Sequence, residues 1–226
     1  LNQYIGEHTY AGPGIFTISV EDPNRVQDVV NITNSVNVPF YIETVLLVNS
    51  TTGGVNSSPV LLYPPIDYAC LNKPFIHNPT AYDPDKDSLS YKLVVCKGEK
   101  GDNIPDYKYP NQFPDPPGTI SGIFTLNPAT GDLLWDSPKQ VGIYNVAMHI
   151  EEWRNGKKIG YVTRDMEIIV GNCNNDPPVI SAPSDLCVTA GDSIFMNVSA
   201  SDPNADKITL SAFGWPLLMP VDNAFF

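Results

Sequence analysis

The sequence is poor in charge, above all in positive charge. Charged side chains make up 17% of the 226 residues, and 13 basic against 25 acidic residues give a formal net charge of −12. A field of that sign repels phosphate backbones and attracts cations, so we expect no nucleic-acid partner. No apolar run approaches the roughly 18 residues that a membrane-spanning helix needs, so we expect no membrane insertion.

The sequence also lacks the motifs of common hydrolases. Its three histidines, His8, His77 and His149, have no G-x-S-x-G or H-E-x-x-H pattern around them. The acid pair Glu151-Glu152 falls in an alternating segment, where neighbouring side chains point to opposite faces and do not form a glycosidase pair. We therefore predict that the chain is not an enzyme.

Proline and apolar residues, in contrast, are abundant. The chain has 22 prolines, 42% hydrophobic residues and 10% aromatic residues. Proline and β-branched residues rank low on the helix scale, and this much apolar surface is enough to form a core. The composition argues against a helical protein and against a disordered chain.

The four cysteines are too far apart for a zinc site, which usually contains close C-x2-C pairs. Cys70, Cys96, Cys173 and Cys187 are separated by 26, 77 and 14 positions. Two disulfides in an oxidising compartment explain this spacing better, and they favour an extracellular or cell-surface location. The first residue is Leu1 and not Met, so we expect a processed chain or an excised fragment.

A repeat with a step of 119 residues organises the chain. The segment 58–70, S-P-V-L-L-Y-P-P-I-D-Y-A-C, returns at 177–187 as P-P-V-I-S-A-P-S-D-L-C. The segment 81–91, A-Y-D-P-D-K-D-S-L-S-Y, returns at 200–210 as A-S-D-P-N-A-D-K-I-T-L. The alignment places Asp202 at the position of Asp83.

The remaining part of the unit repeats as well. G-I-F-T-I-S-V begins at Gly14 and G-I-Y-N-V-A-M at Gly142, and a second extended run follows each, at 40–48 and 161–170. We interpret the chain as the end of one module (1–50), one complete module (57–171) and the start of a third (174–226). Seven short alternating strands in the complete module predict an immunoglobulin-like β-sandwich, so the fold class is all-β with tandem sandwich modules.

Repeat logic also predicts the cysteine pairing. The first module has no counterpart of Cys173, which leaves Cys96 as the partner of Cys70. Cys187 has no third-strand partner within the chain, so we predict a second pair, Cys173–Cys187.

Several segments resemble cadherin-type repeats. F-T-L-N-P-A-T-G-D-L at 124–133 is similar to the strand–turn–strand signature of that family, and I-I-V-G-N-C-N-N-D-P-P-V-I at 168–180 to its linker D-x-N-D-N-P-P. E-D-P-N-R at 21–25 and N-S-V-N-V-P-F-Y-I-E-T at 34–44 resemble the cadherin-like and Ig-like modules of large secreted surface proteins of Bacteroidetes, including those associated with gliding motility. The resemblance implies tandem β-sandwiches, extracellular location, and calcium at the junctions between modules.

Clustered carboxylates are the candidate chemistry. Asp83, Asp85 and Asp87 stand at alternate positions and recur as Asp202, Asn204 and Asp206. Three carboxylates so near to one another repel unless a cation neutralises them. Ca²⁺ suits such a site because it binds six to eight oxygen ligands in tolerant geometry. The alternative is a solvated turn in which Pro84 sets φ and the aspartates cap backbone amides.

The resemblance implies a Ca²⁺ cage that joins two modules. In the second junction its ligands would be Glu151 or Glu152, Asn172, Asn174, Asp176, Asp202, Asn204 and Asp206. In the first junction they would be Glu21 or Asp22, Asn56, Asp83, Asp85 and Asp87. Asn172 and Asn175 replace aspartates of the family pattern, which implies binding at the millimolar Ca²⁺ found outside cells.

The loop 97–118 is the longest segment without strand character. It contains five prolines, and Tyr107, Tyr109 and Phe113, with Trp153 at a predicted hairpin tip, could form a ligand platform. The alternative is a loop that folds back over an open sheet edge and blocks aggregation.

These observations predict a structural or adhesive repeat region of a bacterial surface protein with Ca²⁺ at its junctions. Its partners would be neighbouring modules or copies, or a surface glycan or protein. The alternative function is a carbohydrate-binding or enzyme-accessory module that uses the loop 97–118.

Overall fold

The computed structural model describes residues 4–48, 56–112, 122–183, 186–189, 191–212, 214 and 217. Strands are the dominant regular structure of these residues, which confirms the all-β prediction. They include 310 turns at Ser35–Asn37, Glu99–Gly101 and Pro110–Gln112. The strands are β1 (Gly14–Asp22), β2 (Phe40–Val48), β3 (Val60–Leu61), β4 (Ile66–Cys70), β5 (Phe75–His77), β6 (Ala81–Tyr82), β7 (Ser88–Val94), β8 (Phe124–Leu126), β9 (Leu133–Trp135), β10 (Gly142–Arg154), β11 (Lys157–Gly171), β12 (Val179–Ser181) and β13 (Ser199–Ser201).

The long hairpin β10–β11 forms the centre of the largest sheet. Its two-residue turn has positive φ at both Asn155 (52°) and Gly156 (72°), the combination that a tight type I′ hairpin requires. The sheet has the order β1-β2-β11-β10-β7, and β4 pairs with β11 in the parallel direction. The strands β5, β9 and β8 form a second sheet, and β3 pairs with β6.

The main core lies between the large sheet and the three-stranded sheet. Leu133 and Trp135 from β9 are at most 2% exposed, and Trp135 packs edge-on against Tyr144 with ring centroids 4.9 Å apart. The large sheet contributes alternate residues of its central strands to this core, namely Tyr91, Tyr144, Val146, Met148, Ile150, Met166, Ile168 and Val170. Two sheets packed face to face through alternate side chains are the arrangement of a β-sandwich.

Two loops cover the opposite face of the large sheet. The segments 23–39 and 97–112 contribute Val29, Ile32 and Ile104 to a second buried cluster around Ala147 and Cys96. Because both faces of β10 are covered, apolar side chains are buried at consecutive positions along it.

A buried ion pair connects the segment 23–39 to the sheet. The Arg25 guanidinium donates to Asp165 on β11 at 2.7 Å and to the backbone carbonyl of Lys97 at 2.8 Å. Both side chains of the pair are 2% exposed. Asn31 adds a reciprocal pair of hydrogen bonds with the backbone of Asn145, at 2.7 and 2.9 Å.

These contacts differ from the predicted boundary between modules 1–50 and 57–171. Residues 1–171 form one compact unit and residues 172–226 another. The strand β2 joins the same sheet as β11 through pairing at Gly160, Tyr161 and Val162. A Cβ atom on Gly160 would lie 2.5 Å from the Val45 carbonyl oxygen, so the close approach of the two strands depends on this glycine.

The 119-residue repeat reappears in the strand pairing. In the first unit Val60 pairs with Tyr82 and Leu61 with Ala81. In the second unit β12 and β13 pair in the equivalent register, Val179 with Ser201 and Ile180 with Ala200.

Both predicted disulfides are wrong. Cys70 and Cys173 are disulfide-bonded, whereas Cys96 and Cys187 are free thiols. The unpredicted parallel strand β4 explains the difference, because it places Cys70 opposite Gly171, two residues before Cys173. Cys96 is fully buried in the second cluster.

We expect the substitution Arg25→Ala to destabilise the whole unit 1–171 by about 3–5 kcal/mol, because it leaves the buried Asp165 carboxylate without its cation. Chemical denaturation monitored by Trp fluorescence measures the loss. The double variant R25M/D165L should recover most of it. If the N-terminal hairpin β1–β2 unfolded at a lower denaturant concentration while Trp135 stayed in its folded environment, this hairpin would not belong to the unit.

The thiol assignment predicts three classes of cysteine reactivity. The exposed Cys187 should react with a thiol reagent in the native protein, whereas Cys96 should react only after unfolding, and two further thiols should appear only after reduction. Mass spectrometry of alkylated peptides measures each site. Native labelling of Cys70 without reductant would disprove the assignment.

Candidate metal centre

The acidic turn between β6 and β7 is built around Asp83. One carboxylate oxygen of Asp83, Oδ1, accepts hydrogen bonds from the backbone N–H groups of Asp85 at 2.8 Å and Asp87 at 3.1 Å. Lys86 has a positive φ of 71° at the tightest point of the turn. The turn is also tied to the segment before β3, since the backbone N–H of Ser57 donates to the Asp85 carboxylate.

The second unit repeats this turn closely. Asp202 Oδ1 accepts from the backbone N–H groups of Asn204 at 2.8 Å and Asp206 at 3.1 Å. Ala205 takes the positive φ, here 61°, and the N–H of Asp176 donates to Asn204 at 2.7 Å. The local hydrogen-bond pattern therefore recurs with the sequence repeat. In both turns the first aspartate caps backbone N–H groups, as the alternative of a solvated turn predicted.

In the first turn three carboxylates converge. One ligand-type oxygen from each of Asp83, Asp85 and Asp87 lies within 4.8 Å of the others. Glu152 on β10 lies beside Asp83 and Asp87, and Asn56 adjoins Glu152. Glu152 is 1% exposed and Asp83 is 5% exposed, so the negative charge of these two groups is poorly hydrated.

Arg154 neutralises one side of this cluster. Its guanidinium binds both carboxylate oxygens of Asp87, with Nε at 2.8 Å from Oδ1, and it also donates to the Asn56 side-chain oxygen at 2.8 Å. It approaches Asp85 at 3.9 Å. The ion pair with Arg154 lowers the pKa of Asp87 below its ordinary value.

Two oxygens of the cluster lack a partner. Asp83 Oδ2 and Glu152 Oε1 are buried and make no hydrogen bond. Burial raises the pKa of Asp83, and burial together with the negative charges of Asp83 and Asp87 raises the pKa of Glu152 to about 7. Arg154 binds Asp87 and approaches Asp85. A divalent cation would compensate the negative charge that the other two carboxylates, Asp83 and Glu152, add to the described cluster.

The residues that the structure brings together differ from both predicted cages. Asn56, Asp83, Asp85 and Asp87 lie close together within the unit 1–171, but Glu21 and Asp22, which were predicted with them, have other roles. Glu21 accepts the backbone N–H of Lys100, and Asp22 accepts that of Asn24. Their place beside the turn is taken by Glu152, which had been assigned to the second junction.

The other predicted ligands are distributed over the two units. Glu151 points away from Glu152, as alternation requires, and binds Ser90 and Lys158. In the second unit Asp202, Asn204, Asp206 and the N–H of Asp176 share one turn. Asn172 and Asn174 are exposed.

Sequence reasoning missed Arg154. The sequence gives only a weak signal for this contact. Arg154 is the last residue of β10, and the pairing of β10 with β7, which brings it to the turn, is not encoded by any local pattern. Within that pairing Trp153 is opposite Ser88, directly after the acidic turn.

The predicted aromatic platform is not a shared free surface. The Tyr107 hydroxyl donates to the Asn145 carbonyl at 3.1 Å, and Tyr109 packs against Phe124 with ring centroids 6.2 Å apart. Trp153 donates to Ser90 at 2.8 Å on the large sheet. Phe113 lies outside the described residues. The described part of the loop, 97–112, covers a face of the large sheet, whereas the alternative expected it over an open sheet edge.

His77 and His149 are packed inside the described fold. His77 is buried and bonds Asp67 through Nδ1 at 2.8 Å. The ring of His149 stacks on Tyr161 at 4.0 Å, and its Nε2 atom is buried without a partner. Burial lowers the pKa of His149 to about 4.

Comparison with known proteins gave no match to a family model, a curated protein or a solved structure. Among the described residues, no helix is long and apolar enough to cross a membrane.

His149 predicts an acid sensitivity. Its imidazole is neutral in the folded chain down to about pH 4, whereas the unfolded chain takes up the proton near the ordinary value of 6.5. The free energy of unfolding should therefore fall as the pH is lowered from about 6.5 to about 4. His149→Phe keeps the stacking on Tyr161 and should lose this component in denaturation curves measured at several pH values. Parallel profiles for the two proteins would contradict the assignment.

Proposed function

We propose that the chain is a repeat region of a bacterial extracellular surface protein, built from tandem immunoglobulin-like sandwiches and stiffened by Ca²⁺. In this role it serves as a stalk or adhesive segment between other parts of a secreted protein. The proposal includes the kinship with the cadherin-like surface modules of Bacteroidetes that the sequence motifs indicate. Two cysteines in a disulfide are compatible with an extracellular location.

The observation that carries the calcium proposal is the pair of buried oxygens without a partner. Asp83 Oδ2 and Glu152 Oε1 belong to side chains that are at least 95% buried, and they adjoin the carboxylates of Asp85 and Asp87. A buried carboxylate without compensation is costly, and a hard cation with oxygen ligands is a direct way to satisfy it.

The residues fit such an ion by their chemistry. Asp83, Asp85, Asp87 and Glu152 would hold it, with Asn56 as a neutral neighbour, and all five donors are oxygen ligands of the type that Ca²⁺ prefers. When bound, the ion supplies charge neutralisation and no reaction chemistry.

The same contacts explain how a cation would stiffen the molecule. The segment at Asn56 and Ser57 precedes β3, the turn 83–87 joins β6 to β7, and Glu152 lies at the end of β10. An ion held by these three elements opposes their separation. Within the second unit, the bond from Asp176 to Asn204 ties the equivalent segment to its own turn.

The carbohydrate-binding alternative receives less support. It relied on the loop 97–118, whose described aromatic residues Tyr107 and Tyr109 pack onto the domain.

Calcium should raise the thermal stability of the chelator-treated chain. At a free Ca²⁺ concentration ten times the Kd, binding adds about 1.4 kcal/mol, which corresponds to roughly 3–6 °C in Tm for a chain of this size. Glu152→Gln should remove most of this shift because it removes a buried ligand charge. Differential scanning fluorimetry with Ca²⁺, Mg²⁺ and oligosaccharides measures the response.

Asp102→Asn is the matched control, since Asp102 is an exposed acid outside the cluster. It should retain the full calcium shift. No shift up to about 10 mM Ca²⁺, together with a more stable E152Q variant, would mean that Arg154 and a proton on Glu152 neutralise the cluster without metal. A shift with oligosaccharides alone would favour the binding-module function.

A further inference from the structure

Arg154 already occupies part of the acidic cluster as a cation. Its Nε atom donates to Asp87 Oδ1 at 2.8 Å, and its Nη2 atom donates to Asp87 Oδ2 and, at 2.8 Å, to Asn56 Oδ1. The Asp87 side chain is 6% exposed, so this bidentate ion pair is largely shielded from water. Three oxygens of the proposed metal centre are therefore directed at a guanidinium.

The guanidinium does not satisfy the whole cluster. Asp83 Oδ2 and Glu152 Oε1 are buried without a hydrogen bond, and Arg154 comes only to 3.9 Å from Asp85. A metal ion that binds these atoms has either to share the cluster with the guanidinium or to displace it.

Sharing the cluster is unfavourable. Two positive groups a few ångströms apart in poorly hydrated surroundings repel each other strongly. The ion would also lack the oxygens of Asp87 and Asn56, which the guanidinium holds, although Ca²⁺ binds about six to eight oxygens. Displacement of Arg154 removes the repulsion and frees these oxygens for the ion.

Arg154 is placed so that it can leave the cluster. It is the last residue of β10, next to the exposed turn residues Asn155 and Gly156, and its own side chain is 17% exposed. Asp83, in contrast, is held by the two backbone N–H groups that it caps, and Glu152 lies within the strand. Rotation about side-chain bonds therefore takes the guanidinium into solvent while the carboxylates stay in place.

We propose that Arg154 is a tethered counter-cation of the acidic cluster, which Ca²⁺ displaces from Asp87 and Asn56 when it binds. This inference rests on the proposed metal centre and adds the residue that determines its affinity. Without the ion, the guanidinium neutralises Asp87 and ties the acidic turn to the segment before β3. With the ion bound, the ion makes these connections. Because binding requires the conformation in which the ion pair is broken, Arg154 weakens the apparent affinity for Ca²⁺.

Arg154→Gln tests the displacement. Glutamine keeps a polar side chain but loses the charge and the bidentate pair. Isothermal titration calorimetry of the full 226-residue chain, first freed of metal with a chelator, measures Ca²⁺ binding. The Kd of R154Q should be lower than that of the wild type by about tenfold or more, because no ion pair has to be broken.

The stability of the metal-free chain should change in the opposite sense. R154Q should have a lower Tm than the wild type in chelator, since the Asp87 carboxylate has lost its cation. A purely structural role of Arg154 would lower the stability without tightening the binding of Ca²⁺. Circular dichroism checks that the variant is folded.

Lys158→Gln is the matched control. It removes one positive charge from the same hairpin, but Lys158 is exposed and binds Glu151, which points away from Glu152. At about 0.15 M salt, where separated surface charges are screened, K158Q should keep the wild-type Kd within about twofold. An equal gain in affinity in both variants would reduce the effect to net charge and refute the displacement.

The wild-type chain provides a second measurement, which does not depend on the folding of R154Q. The Nε–H group of Arg154 gives its own signal in ¹⁵N-correlated NMR spectra, assigned through the bonds to its backbone. Saturation with Ca²⁺ should move this signal to the position of a solvent-exposed arginine and speed its exchange with water. A signal that keeps its position and its protection in the Ca²⁺-bound chain would show that Arg154 stays on Asp87, against the proposal.

The outcomes distinguish this inference from the function on which it rests. Binding of Ca²⁺ with one and the same Kd by the wild type and folded R154Q would overturn the displacement and leave the metal centre in place. If neither chain binds Ca²⁺ up to about 10 mM, both the metal centre and the displacement fail. Binding by R154Q alone would support the displacement, with a guanidinium that outcompetes the ion in the wild type.

Discussion

The need to bury both faces of the β10–β11 hairpin organises the first unit. The inner face of β10 packs on the three-stranded sheet through Tyr144, Val146 and Met148. Its outer face is covered by the loops 23–39 and 97–112, which meet over Ala147. Because the covering loops come from distant parts of the sequence, the N-terminal hairpin and the proline-rich loop become parts of one compact unit. The buried pair of Arg25 and Asp165 fixes one of these loops at the sheet.

The local pattern of apolar and turn residues was sufficient to predict many of the strands. Alternating apolar residues predicted the positions of β7, β9, β10 and β11, and Asn155-Gly156 predicted the central turn because few other dipeptides accept positive φ twice. The predicted strand 75–82 is divided into β5 and β6, since Asn78 caps its own turn and Thr80 takes a positive φ of 49°. Strand β4 was missed because its parallel pairing with β11 has no local signal, and the error in the cysteine pairing follows from that omission.

The acidic cluster shows a similar division between local and distant information. The sequence repeat identified Asp83, Asp85 and Asp87 and their counterparts, because the turn is determined by its own residues. The surroundings that make the first turn unusual come from β10, where Glu152 adds a buried carboxylate and Arg154 adds the opposing charge. Such neighbours depend on the register of β10 with β7, which spacing in the sequence does not encode. The two turns therefore share a backbone hydrogen-bond pattern, but the charged residues around the first turn come from β10.

Gly160 gives the sheet an unexpected sensitivity. The carbonyl of Val45 occupies the space where any other residue would have its first side-chain carbon. A single methyl group there would push β2 off the flank of β11, and β1 would leave with it because its only neighbour in the described sheet is β2. The pairing of β2 with β11 is thus decided by the absence of one carbon atom, whereas the segment 23–39 is held separately by the buried pair of Arg25 and Asp165.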